Sequence, residues 1–291
     1  MDNPSLNSDK YQLIKALRPF SYSVALITCG LGVALAYAHN QGNGLRAVLV
    51  MAAGLLLQAA CNLANDYADI PLWKKQNTDT SRSAIQQIRR NFALAGLCTL
   101  LAMGIGLWLV SQVGSFLVWL GLFGILGGYS YTGEPVNYKQ RGLGVLGVFV
   151  FTGVLMVCGA YYAVSGEWSS QVVWLSVPVS LLSASLLMAN EIRDYFDDVH
   201  FDIRTLSVRL GYKPAKVFYA MLLLLGYPVS FYLFLQGGIN NPLYILPSLI
   251  LLWQPVRLVF SSVDPLLLAR LPPLTGRFFM IFGVGFILSI L

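Results

Sequence analysis

The sequence predicts an all-α, multi-pass membrane protein: about nine transmembrane helices around a central cavity. Three observations carry that expectation. The 291 residues are 56% hydrophobic and only 11% charged, too few charges to cover a soluble fold of this size. Nine apolar runs approach the ~20 residues that cross a bilayer. Eighteen of the nineteen lysines and arginines fall in alternate loops between those runs, and only Arg46 falls in the others. Basic loops stay in the cytoplasm, so the N-terminus is expected inside, the C-terminus outside, and the protein in the plasma (inner) membrane.

The spans are expected, in order, at Phe20–Ala38, Ala47–Ala64, Phe92–Val110, Ser115–Tyr131, Gly144–Val164, Val172–Ala189, Val217–Leu235, Leu243–Val256 and Phe278–Leu291. Residues 1–15 read as an N-terminal tail, with 1–10 disordered, and residues 16–291 as one membrane domain. Lys10, Lys15 and Arg18 precede the first span. Arg46 sits between the first two. Lys74, Lys75, Arg82, Arg89 and Arg90 lie between the second and third, and Lys139 and Arg141 between the fourth and fifth. Arg193, Arg204, Arg209, Lys213 and Lys216 lie between the sixth and seventh. Arg257, Arg270 and Arg277 precede the last. The first nineteen residues are polar and the first apolar run is long, so no cleavable signal is expected. The net charge of +6 belongs to this topology; no basic helix or patch points to nucleic acid. Cys29, Cys61, Cys98 and Cys158 have no CxxC spacing and read as small buried residues.

Eight of the thirteen carboxylates sit in two stretches that look alike. Asn62, Asp66, Tyr67 and Asp69 are followed by Asp79. Asn190, Asp194, Tyr195 and Asp197 repeat the spacing, joined by Glu191, Asp198 and Asp202. Each stretch closes an even-numbered span on the cytoplasmic side. This suggests two four-helix pseudo-repeats plus a terminal helix, with the motifs facing across the cavity. On continuing helix, Asn62, Asp66 and Asp69 share one face, as do Asn190, Asp194 and Asp197, with Asp198 on the same side. Four or five converging carboxylates repel one another unless a divalent cation binds. Magnesium prefers few carboxylates, several waters and phosphate oxygens, which suggests a site for Mg²⁺ with a diphosphate. Arg82, Arg193 and Arg204 are the basic residues placed to complete it.

These residues resemble the UbiA superfamily of intramembrane aromatic prenyltransferases. Its 1,4-dihydroxy-2-naphthoate polyprenyltransferase branch, of menaquinone synthesis, matches in local detail. The matches are Leu17-Arg18-Pro19, Asn62 to Tyr67 with Asp69, Thr78-Asp79-Thr80, Tyr131-Thr132-Gly133, Arg141 to Gly144, Asn190 with Ile192-Arg193-Asp194, and Arg204-Thr205-Leu206 with Val208 to Gly211. They run in the family's order over roughly residues 15–215. The chain departs from the branch in a longer Ile70–Thr78, in Asp202-Ile203 where Gly-Lys is usual, in Glu191 for Asn, and in Val145 for an acid.

The resemblance implies Mg²⁺, two ions, with a polyprenyl diphosphate and an aromatic acceptor as substrates in the lipid bilayer. Asp66, Asp69, Asp194 and Asp198 would carry catalysis, with Asp79, Asp197 and Asn190 as further metal ligands. Asn62, Asn65, Arg82, Arg193 and Arg204 would meet the diphosphate. Tyr67, Tyr131 and Tyr195 would shield an allylic cation with their π faces. Two rival readings are 4-hydroxybenzoate, homogentisate or another phenol as acceptor, and a cation-coupled transporter. Against transport, the acids gather at one membrane face, whereas transport sites tend toward the midplane.

Overall fold

The computed structural model describes residues 8–75 and 78–291, and the described residues are helices, turns and loops with no strand. The helices long enough to order the fold are α1 (Tyr22–Ala38), α2 (Gly44–Asn65), α3 (Asp79–Val113), α4 (Phe116–Thr132), α5 (Gly144–Ser165), α6 (Ser170–Arg193), α7 (Tyr212–Leu235), α8 (Ser248–Ser261) and α9 (Leu271–Ile290). Among the described residues, eight helical stretches are long and apolar enough to cross a membrane; α4, with 17 residues, is shorter than these.

Three boundaries differ from expectation. α3 begins thirteen residues before its apolar run, because the Thr78 side chain accepts from Ser81 N and starts the helix at Asp79. At ~1.5 Å per residue its 35 residues reach well beyond a ~30 Å hydrocarbon layer. α9 begins at Leu271 rather than Phe278. The tail expected to be disordered is folded from Ser8 onward: a 3-10 turn at Ser8–Tyr11 and a helical turn at Leu13–Ala16 lead into Pro19–Ser21. Residues 1–7 lie outside the described residues.

α1 is central, packing on α2, α5, α6 and α9. Gly32 makes the α1–α5 contact close: a Cβ there would meet Val157 O, the Ala160 Cβ and Tyr161 N. Small residues let membrane helices approach to backbone contact. Gly153 of α5 likewise faces Ser180 of α6. The α6 interior is rich in serine, and three of its hydroxyls bond within the helix: Ser176 donates to Val173 O, Ser180 to Ser176 O and Ser185 to Leu182 O, while Ser183 Oγ is buried without a partner. α9 is not a peripheral addition. Phe278, Phe279, Phe282 and Phe286 are fully buried where it packs on α1, α6 and α8.

α2 and α6, which carry the acidic motifs, both pack on α1 and α5. α2 and α6 therefore share α1 and α5 as neighbours. Of the cysteines, Cys29 and Cys158 are buried as expected, Cys98 is half-buried and Cys61 is exposed.

Candidate functional site

The first motif does not continue as α-helix. α2 ends at Asn65, and Asp66–Asp69 forms a 3-10 turn before a short helix at Ile70–Lys74. Residues i and i+3 eclipse in a 3-10 turn, so Asp66 and Asp69 still project to one side. Asp66 is 2% exposed. Its Oδ1 accepts from Arg18 Nη2 at 2.6 Å, while Oδ2 is buried with no hydrogen-bond partner. Arg18 takes a left-handed backbone (φ 48°) immediately before Pro19, and in this conformation its side chain reaches Asp66.

Asp69 accepts from the Tyr11 hydroxyl at 3.0 Å and pairs with Lys10 at 2.8 Å. Tyr11 is fully buried, accepts from Trp73 Nε1, and receives Asn91 Nδ2 at its carbonyl. Burial pushes the Tyr11 phenol up to about 12, so it remains a proton donor. Sequence reasoning left Lys10 and Tyr11 in a loose tail. Their partners lie about sixty positions away, and no local pattern marks them.

The second motif follows the end of α6. Arg193 grips Asp194 with two bonds, Nε to Oδ1 at 2.7 Å and Nη2 to Oδ2 at 2.6 Å. Burial opposes ionisation of Asp194, but Arg193 first, then Lys10 and Arg18, hold its carboxyl below the usual carboxylate range. The two cations that pair Asp69 and Asp66 thus act on the second motif as well. Asp198 is buried and accepts from Thr205 Oγ1 at 3.1 Å. Burial, with Asp194 and Asp197 adding to it, pushes its carboxyl up to about 6 against the pull of Lys139 and Thr205.

Other expected ligands are placed differently. Asn62 is buried with its amide engaged inside the protein: Nδ2 donates to Leu17 O and Ser21 Oγ, and Oδ1 accepts from Gln58. It ties the N-terminal segment to α2 instead of facing a ligand. Asn190 Nδ2 bonds back to Leu186 O, and Asn65 is exposed. Asp79 is almost fully exposed and pairs at 3.4 Å with exposed Arg82; neither joins the buried carboxylates. Asp197 is exposed. Arg204 pairs with Asp202 at 3.1 Å and lies in a polar cleft with Arg141 and Arg209. Tyr67 is half exposed and packs on Phe92 at 4.4 Å, Tyr131 meets Tyr138 edge-on, and Tyr195 packs on Tyr212.

Glu191 is a residue that spacing alone did not assign to the site. It is 4% exposed; Oε2 accepts from Ser207 N at 3.0 Å and Oε1 is buried without a partner. A Cβ on Gly144 would touch both Glu191 Oε1 and the Tyr131 ring, so acid, ring and glycine share one small space. The departure from Asn at this position is the sequence signal for it.

Among the described residues no three acidic, histidine or cysteine side chains close into one coordination group. Asp66, Asp69, Asp194 and Asp198 instead each face an arginine, a lysine or a hydroxyl. The donor set still suits Mg²⁺. It consists of hard oxygens, it includes the buried free Oδ2 of Asp66, and Mg²⁺ takes one or two carboxylates with water and phosphate oxygens in place of an all-protein cage.

Comparison with known proteins agrees with this architecture. The model of the UbiA prenyltransferase family matches residues 25–281. A 1,4-dihydroxy-2-naphthoate octaprenyltransferase of Haemophilus influenzae is 32% identical over 224 residues, covering 71% of each chain. The Escherichia coli protein of the same name is 28% identical over 291 residues, covering 95% of this chain and 94% of its own. A UbiA homologue from Archaeoglobus fulgidus, solved bound to GPP and Mg²⁺, superposes with a TM-score of 0.61 at 17% identity, covering 96% of this chain and 99% of that one. The paired acidic motifs, the helical membrane fold and the family match converge, and the chain belongs to the UbiA prenyltransferase family.

Proposed function

We propose that this protein transfers a polyprenyl group from its diphosphate to 1,4-dihydroxy-2-naphthoate, with loss of CO₂, at the cytoplasmic face of the plasma membrane. The observation that carries the reading is the pairing of the two motifs. Asp66 and Asp69 follow α2, Asp194 and Asp198 follow α6, the two helices share α1 and α5 as neighbours, and the charges of Lys10 and Arg18, which pair the first motif, reach Asp194 of the second. The names of the relatives support the acceptor.

Asp66, Asp69, Asp194 and Asp198 would hold Mg²⁺, which supplies charge neutralisation on the departing diphosphate. The chain's own residues do the rest. Arg18, Lys10 and Arg193 already sit on these carboxylates and are placed to turn toward phosphate oxygens, stabilising charge that develops as the allylic C–O bond breaks. The ring carbon bearing the carboxylate attacks the allylic carbon. The electron pair of the C–CO₂ bond then returns to the ring as CO₂ leaves. Tyr131 and Tyr195 lie beside the two acids of the second motif and offer π faces to the cation. Glu191 Oε1, free and buried, is assigned to accept from a ring hydroxyl of the acceptor. This acid in the usual Asn position is also the one feature that favours a different phenol.

The test is a membrane assay with dihydroxynaphthoate and a long polyprenyl diphosphate, with and without chelator, and with 4-hydroxybenzoate and homogentisate in competition. Magnesium-dependent prenylnaphthoquinol, absent in Asp66→Ala and Asp194→Ala, is expected. Full activity in either variant sinks the catalytic assignment, and preference for a competing phenol sinks the acceptor.

A further inference from the structure

The junction of α8 and α9 lies on the same side of the membrane as the acidic motifs. α7 starts on that side, soon after the second motif, and Lys216 near its beginning donates to Ser262 O at 2.9 Å. At this junction a cleft of about 640 Å³ opens between α8, the connecting segment and α9. Three guanidinium groups line it: Arg257 from α8, Arg270 at the start of α9, and Arg277 within α9. No carboxylate lines it. Asp264, the acid of the connecting segment, caps Leu266 N instead. Among the described residues none of the three arginines makes an ion pair or a side-chain hydrogen bond.

Three unneutralised cations around one cleft are costly at a membrane border. Arg277 lies seven residues into α9 from Arg270, about 10 Å along the axis, which carries it toward the hydrocarbon layer. A guanidinium at that depth calls for an anion. The rest of the lining is mostly apolar, including Trp253, Leu258, Leu267 and Leu274. Trp253 is 65% exposed, and Phe260 of α8 and Leu266 of the connecting segment are exposed too. Trp253 lies eight residues, about 12 Å, in from the Ser261 end of α8, at the depth of acyl chains and not of headgroups. A soluble phosphate would use the arginines alone, whereas a lipid would use both the arginines and this apolar rim.

We propose that the cleft binds the phosphodiester headgroup of an anionic phospholipid, with its acyl chains against Trp253 and Leu267. The site shares no residue with the acidic motifs, so it stands independently of the prenyl-transfer reading.

The experiment uses the intact protein in mild detergent. Retained lipid is counted by native mass spectrometry, and thermal stability is followed, after adding phosphatidylglycerol, phosphatidylcholine or inorganic phosphate. Phosphatidylglycerol is expected to bind and to raise the melting temperature, and phosphatidylcholine and phosphate are not. Neutralising the cleft in Arg257→Gln/Arg270→Gln/Arg277→Gln is expected to weaken phosphatidylglycerol at least about tenfold, since each basic residue near a surface adds to anionic-lipid attraction. Its melting temperature without added lipid serves as the folding control. Equal binding of both lipids by the unaltered protein overturns the proposal, as does phosphate stabilising as well as phosphatidylglycerol. The wild-type arms decide the matter even where the triple variant does not fold. A folded triple variant that keeps its preference for phosphatidylglycerol also overturns it.

Discussion

Arg18 and Asp66 show how one ion pair joins the N-terminal segment to the site. Asp66 is almost wholly buried and already has one oxygen without a partner. Arg18→Gln leaves its charge uncompensated, at a cost of about 1–3 kcal/mol, read as a lower melting temperature in detergent. Adding Asp66→Asn removes the orphaned charge, so the double variant is expected to be more stable than the sum of the singles. Additive losses would mean that the pair carries no coupling. Glu191 gives a second residue-level expectation. In Glu191→Gln the oxygen must stay on Ser207 N, so an NH₂ replaces the free Oε1 and an acceptor becomes a donor. Loss of a hydrogen bond to a charged group costs about 1.5–3 kcal/mol. KM for the aromatic acceptor should therefore rise about tenfold or more, with KM for the prenyl diphosphate unchanged; a rise in both would place Glu191 elsewhere. Asp198 adds a pH dependence. Its carboxyl is raised to about 6, by burial first and by Asp194 next, so it is protonated below that pH and ionised above it. A proton then competes with a cation as pH falls through 6. The magnesium concentration for half-maximal turnover is expected to climb between pH 7 and pH 5, and a flat profile would remove Asp198 from the ligand set.

Among the elements, α1 and α5 set the spacing on which both motifs depend. Gly32 is a point of close approach between them, and the atoms a new Cβ would strike are largely backbone, which cannot swing aside. Gly32→Ala is expected to force the helices apart, at a cost of about 1–3 kcal/mol for overpacking. It should also lower turnover, because α2 and α6 register on this pair. A variant with lower stability but unchanged kcat would show that the motif ends do not take their spacing from this contact. The helices were legible in the sequence wherever apolar runs met clustered charges, as at Asn62–Asp69 and Asn190–Asp198. What remained hidden had long-range or non-periodic causes. The N-terminal end of α3 is polar and carries Arg82, Arg89 and Arg90, so hydropathy started the helix too late. The 3-10 turn at Asp66–Asp69 preserves the shared face by a different period. Lys10 and Tyr11 owe their order to Asp69, Trp73 and Asn91, contacts that no local pattern announces. Asp79 matched the family's order in the chain and Arg82 stood near it as a candidate for the diphosphate, yet an i,i+3 pair on the helix surface satisfies them.

For the whole molecule, the decisive quantity is how many times the chain crosses the membrane between the two motifs. α4 is the hinge of that count. Its 17 residues span about 25 Å, somewhat less than a ~30 Å hydrocarbon layer. If α4 fails to cross, every later loop inverts and the second motif lies on the opposite side from the first. The charge pattern argues for crossing, since Lys139 and Arg141 after α4 then fall on the same side as Lys74 and Lys75. Electrostatics agrees, because the charges of Lys10 and Arg18, which pair the first motif, also lower the Asp194 carboxyl of the second. Cysteine labelling in intact cells tests this directly. Cys61 is exposed and Cys98 half-buried, so both are first replaced by alanine. Lys75→Cys, beside the first motif, and Asp202→Cys, beside the second, are both expected to resist an impermeant maleimide until the membrane is opened. Glu167→Cys, between α5 and α6, is expected to label from outside without permeabilisation. Labelling of Lys75→Cys and Asp202→Cys from opposite sides would separate the acidic faces and end the prenyl-transfer account. Both labelling only from outside would preserve the site and invert the protein, moving the reaction to the external face.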